Sequence, residues 1–425
     1  MNMMKTAIIS GLALVAITTT ALAQSGTKSP YSQYGLGVLS DQAQGGNLGM
    51  NGVGLGLRSG NQVNTLNPAS YSAVDSLTMI FDMGMSGRFT NFKEGTTRVN
   101  ASGASFDYAV GLFRAAKGVG VSFGILPFSN VGYSYSVPGQ YMPEFDTKIP
   151  VNYQGSGGLR QVFVGAGWQP LKPLSVGFNI AYLWGNYDRQ VYIDPVTNVN
   201  AISKVYSATV SSYNLNFGLQ WEQPVNRNDK LTLGATVGIG HKLNADAKYT
   251  VMMTSLDSVY TIKGALDLPM TYGVGLSYSH ANRLKVAADV ELQQWGKLKV
   301  PEFNTTTDNY ELTDGLLKDR WKVNVGADYV PNPMNRSYLK RVHYRIGAGY
   351  TTPYYKISGF DAPKELSVSV GFGLPITNGY NNRSVLNLSA QWQRASSDRF
   401  ITENTFRINI GLTFNEKWFA KWKVE

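Results

Sequence analysis

The sequence predicts an all-β fold, a transmembrane antiparallel β-barrel of about 14 strands with an N-terminal plug segment. Three observations carry that expectation. Apolar and polar residues alternate along segment after segment, the two-residue period of strands with unlike faces. Short and long links alternate between these segments, as periplasmic turns and outer loops do. Past the first residues, no run approaches the roughly 18 apolar residues of a membrane helix, so a spanning chain must cross by strands.

The beginning of the chain gives the compartment. Met1–Thr6 carries Lys5 and no acid, Ala7–Thr20 is mostly apolar, and Ala21-Leu22-Ala23 fits a small-x-small cleavage site. Residues 1–23 therefore read as a secretory signal peptide and leave the fold. Cysteine is absent, which excludes a lipid-modified cysteine, disulfides and thiolate metal sites. The formal charge is +10, and removing Lys5 leaves +9. The basic residues are scattered rather than clustered, so nucleic acid is not an expected partner. The expected location is the outer membrane of a Gram-negative bacterium, with membrane lipid as the first partner.

Residues 24–75 form the expected plug. They are rich in glycine (Gly35, Gly37, Gly45, Gly46, Gly49, Gly52, Gly54, Gly56) and poor in charge, with Lys28, Asp41, Arg58 and Asp75. Glycine permits close backbone packing, and few charges keep desolvation small. Leu36, Val38, Leu39, Leu48, Met50, Val53 and Leu55 are more apolar than a disordered tail requires.

Residues 76–414 form the expected barrel, with no proline-, serine- or charge-rich linker dividing it. Val176, Phe178, Ile180, Tyr182 and Trp184 alternate with Ser175, Gly177, Asn179 and Ala181; Phe406–Phe414 alternates in the same way. Strands are expected at 76–92, 102–116, 118–136, 158–169, 174–190, 230–250 and 269–280, among others, with long links at 93–101 and 251–268. A barrel of this size leaves a lumen for the polar face, and lipid covers the apolar one. Trp184, Trp295, Trp321, Trp392 and Phe414 are expected in an interfacial girdle. Glycines at alternate positions, Gly118 and Gly120 or Gly347 and Gly349, are expected to be small inward residues.

The expected lumen face gathers Lys285, Asp289 and Glu291 beside Arg320, Lys322 and Asp328, with His343, Arg345 and Arg407 further round. These can form an ion-pair ladder across strands, or a patch that holds the plug or selects cargo. Pro127 removes a ladder donor inside a strand pattern and marks a bulge or kink where the wall can part. In the link 251–268, Met252, Met253, Leu256 and Tyr260 either extend an outer hairpin or line a hydrophobic entrance. The tail 415–425 sets Trp418, Phe419 and Trp422 among Lys417, Lys421 and Lys423, as an interfacial anchor or a dock for a periplasmic partner. His241, His280 and His343 lack metal-ligand spacing, and no Gly-x-Ser-x-Gly elbow occurs. Neither catalysis nor a cofactor is expected.

Gly46-x-x-Gly49, Gly52, Asn61 and Asn67-Pro68-Ala69, placed between a signal peptide and a long barrel, resemble the FadL/TodX-type outer-membrane transport proteins. Gly124-x-x-Pro127-Phe128-Ser129 and Gly371-x-Gly373-Leu374-Pro375-Ile376 resemble barrel strands of related proteins. The resemblance implies a 14-stranded barrel, an N-terminal plug, and passive transport of hydrophobic small molecules such as fatty acids, often sideways through the wall. It also admits relatives that serve protein secretion. The alternative is therefore a non-transporting barrel subunit of an outer-membrane protein secretion or assembly complex.

Overall fold

The alternation in the sequence becomes the two faces of one wall in this computed structural model. On the strand Leu174–Ile193, Ile180 is 51% exposed while its neighbour Asn179 is 7% exposed. The structure describes residues 26–417 except 140, 143–146, 195–200, 254–255, 305–306, 308 and 377–383. The expected signal peptide, and Trp418, Phe419, Lys421 and Trp422 of the expected tail, lie outside the described residues, as does the side chain of Lys417.

Fourteen antiparallel strands make the barrel. They are β1 (Thr78–Glu94), β2 (Thr97–Ala116), β3 (Val119–Val137), β4 (Val151–Trp168), β5 (Leu174–Ile193) and β6 (Ile202–Pro224). Next come β7 (Asp229–Gly238 and Ala245–Met253) and β8 (Leu256–Lys263 and Thr271–His280), each in two pieces. The rest are β9 (Leu284–Gln293), β10 (Arg320–Tyr329), β11 (His343–Thr351), β12 (Lys364–Ile376), β13 (Ser384–Ser396) and β14 (Thr402–Lys417). Closure comes from β1 pairing with β14, from Thr78↔Lys417 to Lys93↔Thr402.

The outward face is lipid-like around the wall: Val274, Val325, Ile346, Val370 and Ile410 are all exposed. Trp168, Trp221 and Phe414 edge this band towards the periplasmic turns, and Trp321, Trp392 and Phe406 edge it towards the outer loops. β9, β10 and β11 are 10, 10 and 9 residues long. That is about the 9–11 residues a tilted strand needs to cross hydrocarbon. β5 and β6, with 20 and 23 residues, continue beyond the band on the outer side.

Several expectations are corrected. The link 93–101 is strand, closed by a tight turn at Gly95-Thr96, and much of 251–268 is the β7–β8 hairpin. Loop length therefore sorts the two ends less cleanly than expected. The strand expected over 230–250 is broken, and His241-Lys242 pairs with Asp267-Leu268 in a separate short ladder. Trp295 is not in the girdle: it is 2% exposed, inside the barrel, against the ring of Tyr354 at 4.7 Å. Gly118 sits at the β2–β3 turn with φ +73°, while Gly120 does face inward, where a Cβ would strike the backbone of Tyr71.

Because the band is lipid-facing, Val325→Arg should lower unfolding stability in lipid vesicles by about 2–4 kcal/mol. Asn324→Ser on the lumen side should change it by much less. Equal effects measured by denaturant titration would contradict the two-faced wall.

Candidate functional site

The expected plug residues run inside the barrel. An outer arm, Gly26–Leu39, leads to Asp41, then to a short helix, α1 (Gly45–Gly49), and finally to a 3₁₀ turn, Pro68–Ala73, before β1 begins. The Asn-Pro-Ala element caps that turn. The Asn67 side chain accepts from the Ala69 amide at 3.1 Å and donates to the carbonyls of Leu55 and Leu219 at 2.8 and 3.1 Å. Pro68 and Ala69 lie so close to Gly177 that a Cβ there would overlap them.

Gly46 and Gly49 let α1 lie close against the wall. A Cβ on Gly46 would meet the guanidinium of Arg345 at 2.7 Å, and one on Gly49 would meet the Cα of Gly371 at 3.2 Å. The wall makes room in the same way. A Cβ at Gly234 would overlap the Leu55 carbonyl, and one at Gly347 would overlap Met50. Gly52 has φ +77° and donates to the Asn47 carbonyl at 2.8 Å, turning the chain out of α1.

Hydrogen bonds fix the plug to the wall on many sides. Asp289 of β9 accepts from the Gly54 and Leu55 amides at 2.6 and 2.9 Å. Gln220 of β6 donates to the carbonyls of Leu55 and Leu57, and Ser277 of β8 to that of Gly56. Ser369 of β12 donates to the Gly49 carbonyl, and Gln391 of β13 to the Asn51 side chain. Tyr108 of β2 accepts from the Gly45 amide.

All seven expected lumen charges lie on the inward face: Lys285, Asp289, Glu291, Arg320, Lys322, Asp328 and Arg345. Lys285 stands opposite Asp328, and Glu291 opposite Lys322, in the β9–β10 register. Asp328 pairs with Arg345 at 3.3 Å and with His343 at 2.9 Å. Lys322, however, reaches past the wall to Asp41 of the plug at 2.9 Å. Arg407 joins Asp107 of β2 at 3.0 Å and approaches Asp41 at 3.9 Å. Burial alone would raise the Asp41 carboxyl, but Lys322 and Arg407 overcome it and hold it down at about 2.

The outer half of the lumen is polar on one side, where Arg88, Arg320, Glu365 and Glu403 line a cavity, and apolar on the other, which departs from expectation. Leu159, Leu183, Val210, Tyr249 and Trp295 pack there with Leu36 of the arm. Tyr260 joins this cluster, whereas Met252 and Met253 are exposed; the Leu256 side chain lies outside the described residues.

A seam opens in the wall near Pro127. β2 and β3 pair only from Ala116↔Val119 to Ala109↔Ile125. Beyond that point β2 stays with β1 and β3 stays with β4, where the register shifts between Pro127 and Ser129. Exposed, apolar Met85 and Phe89 stand opposite Phe106 and Ser102 of β2, so the parting begins within the outer part of the lipid-facing band. The arm occupies the edge of β3 that β2 has left. Val38↔Asn130 and Leu39↔Ser129 pair antiparallel, the Ser40 amide donates to Phe128, and the Gly132 amide donates to the Ser32 hydroxyl. This strand pairing was not legible in the sequence. Two paired residues give no periodic signal, although Pro127 marked the place.

A closed wall of 14 antiparallel strands with the N-terminal residues packed inside it defines a plugged transmembrane β-barrel. The chain belongs to the BamG family, whose model matches residues 3–425. The structure is similar to the toluene transporter TbuX of Ralstonia pickettii, with a TM-score of 0.62 and 14% identity over 88% of this chain and 98% of that one. It is also similar to a FadL homologue of Pseudomonas aeruginosa, at 0.61 and 12% over 90% and 99%, and to the toluene transporter TodX of P. putida, at 0.60 and 14% over 89% and 99%. At such identities the likeness concerns the fold. No curated protein matches the chain in sequence.

Two outcomes are expected. Gly347→Val should push Met50 off the wall and make the plug cleavable by protease in folded protein; an uncut plug would contradict the close fit. Asp41→Asn should lower thermal stability at pH 7. A carboxyl held below its unfolded value of about 3.9 contributes fully above that pH and loses its contribution as pH falls towards 2. The gap in melting temperature between wild type and Asp41→Asn should therefore close between about pH 4 and pH 2.

Proposed function

We propose that this protein takes up hydrophobic small molecules at its outer face and releases them sideways through the seam between β2 and β3. Its place is the outer membrane of a Gram-negative bacterium, and neither catalysis nor a cofactor takes part. One observation carries the reading: a wall that is closed elsewhere parts within the outer part of its lipid-facing band, with an apolar cluster of the lumen on its β3 side. Below the seam the plug blocks a straight route to the periplasm, so the side exit is the one that fits. Pro127 sets the parting, Gly46, Gly49, Gly52, Asn67, Pro68 and Ala69 seat the plug, and the lumen charges hold it. Fatty acids and aromatic hydrocarbons are both candidate cargo, the second because TbuX and TodX are described as toluene transporters.

The arm must leave β3 for the seam to conduct. Replacing Leu39 and Ser129, which face each other in register, by cysteines gives a lock. Oxidised, the pair should stop uptake of a hydrophobic fluorophore into barrel-containing vesicles, and reduction should restore it. Uptake unaffected by the lock would contradict release through the seam.

A second reading is a non-transporting subunit of an outer-membrane protein secretion or assembly complex. The full-length BamG match hints at it, and the tail residues Lys417, Trp418, Phe419, Lys421 and Trp422 would then contact a partner. A stoichiometric protein copurifying in mild detergent would favour it; bound lipid in the lumen would favour transport.

A further inference from the structure

The lipid-facing band runs on past the last ladder pairs on the periplasmic side. Tyr329 of β10 and Tyr344 of β11 stand opposite each other there, both outward and exposed. The turn that joins them, residues 330–342, is held in shape by its own bonds. The Asn332 amide donates to the Lys340 carbonyl at 2.8 Å, and the Asn332 and Asn335 side chains accept from the Met334 and Ser337 amides at 3.1 and 2.9 Å. The Val330 amide donates to the Arg283 carbonyl of the β8–β9 turn at 2.7 Å, so the two turns stand side by side. The Tyr344 hydroxyl, on the lipid side, donates to the Leu339 carbonyl at 3.1 Å. This limb therefore folds over the outside of the rim and not across the lumen mouth.

Two properties set the turn apart. It bares apolar side chains: Met334 is 92% exposed and Leu339 68%, more than Val325 or Ile410 in the band itself. Its charge also has one sign. The sequence holds no Asp or Glu from Tyr329 to Phe360, while the turn carries Arg336, Lys340 and Arg341, and Arg283 lies on the turn beside it. None of the four pairs with a carboxylate among the described residues. The Arg341 guanidinium lies over the Tyr338 ring at 5.6 Å, and its Nε is buried without a partner. In water these features are a liability, because bare apolar surface invites association and like charges repel. At a membrane surface both turn favourable: apolar tips enter the acyl layer and cations meet phosphates.

We propose that the β10–β11 turn dips into the periplasmic leaflet of the outer membrane and binds an anionic phospholipid there. Met334 and Leu339 lie among the acyl chains, and Arg336, Lys340 and Arg341 hold the phosphate. The occupant is lipid rather than an acidic protein because the patch continues the lipid-facing band through Tyr329, Tyr344 and Leu339. A zwitterionic headgroup carries its own cation and answers the unpaired charges less well. The proposal depends neither on the cargo nor on the seam, and holds for a transporter and for an assembly subunit alike.

The test uses the full-length barrel, which has no cysteine of its own and so takes single labels. Native mass spectrometry after equilibration with equal amounts of phosphatidylglycerol and phosphatidylcholine reads the preference. Wild type should retain phosphatidylglycerol about tenfold over phosphatidylcholine, from three cations near one phosphate. The triple variant Arg336→Gln, Lys340→Gln, Arg341→Gln should bring the two lipids within about twofold, and Arg336→Lys with Arg341→Lys should keep most of the preference. Removing three cations from other periplasmic turns, by Lys117→Gln, Lys172→Gln and Arg227→Gln, should change it little. Nitroxide labels on Met334→Cys and Leu339→Cys in phosphatidylglycerol vesicles should be relaxed by oxygen and shielded from a water-soluble nickel chelate. A label on Arg227→Cys should be open to the chelate. Heat-modifiable gel migration checks that each variant is folded. A wild type without preference, a preference that survives the triple variant, or an equal loss from the other turns overturns the proposal. So do labels at Met334 and Leu339 that stay open to the chelate, which would leave the turn to an acidic protein surface instead.

Discussion

The structure depends on one constraint: in hydrocarbon, every backbone N–H and C=O must find a partner within the protein. A sheet meets it only by closing on itself, and the pairing of β1 with β14 is that closure. The constraint also explains the arm. Where β2 leaves β3, the freed edge of β3 would present unpaired amides near lipid. Each would cost free energy comparable to a lost hydrogen bond. Val38 and Leu39 take up that edge as a strand would, and Ser32 and Ser40 extend the contact along it. The seam is thus a place where the wall borrows a strand from the plug, and a borrowed strand can be returned.

The plug obeys the complementary rule. A segment of fifty residues in a lumen must satisfy its own polar groups while touching the wall on many sides. Glycine on both surfaces brings the two backbones close, and wall side chains such as Asp289, Gln220 and Ser277 then reach plug amides and carbonyls directly. Charge does the rest at one level. Asp41 stands between Lys322 and Arg407, so two cations that would repel across the lumen share one anion from the plug. The outer arm is held by its short pairing with β3 and by side chains: Arg189 of β5 and Tyr354 donate to the carbonyls of Gly35 and Gly37, Tyr31 donates to the Ile401 carbonyl, and Ser29 donates to Glu403.

Much of the wall was legible because burial on one face and lipid on the other force a strict two-residue period. The inward placement of Lys285 through Arg345 follows from that period, and the pairing of β2 with β3 ends two residues before Pro127. What stayed hidden depends on contacts between distant segments. Residues 251–268 read as a loop because Met252, Asp257 and Lys263 mix polarities above the membrane, where water on the outside removes the contrast between faces. The break in β7 and β8 was missed for the same reason. Trp295 follows a strand pattern by two residues, and only the fold reveals that it turns inward onto Tyr354. Lys322 was placed on the correct face, but its partner lies 281 residues away in sequence, beyond any cross-strand rule.

The central claim is that the arm, and not β2, completes β3 above Ile125. Gly132 donates to the arm, and Asn130, two residues away, faces the same edge, whereas Val131 between them pairs with Gly157 of β4. Hydrogen exchange of these three amides in lipid discs, compared between the whole chain and one lacking residues 26–40, tests it directly. The account predicts that Asn130 and Gly132 lose protection on removal of the arm while Val131 keeps it. Unchanged protection at Asn130 and Gly132 would mean that the wall is closed by something else, and the seam would cease to be an exit.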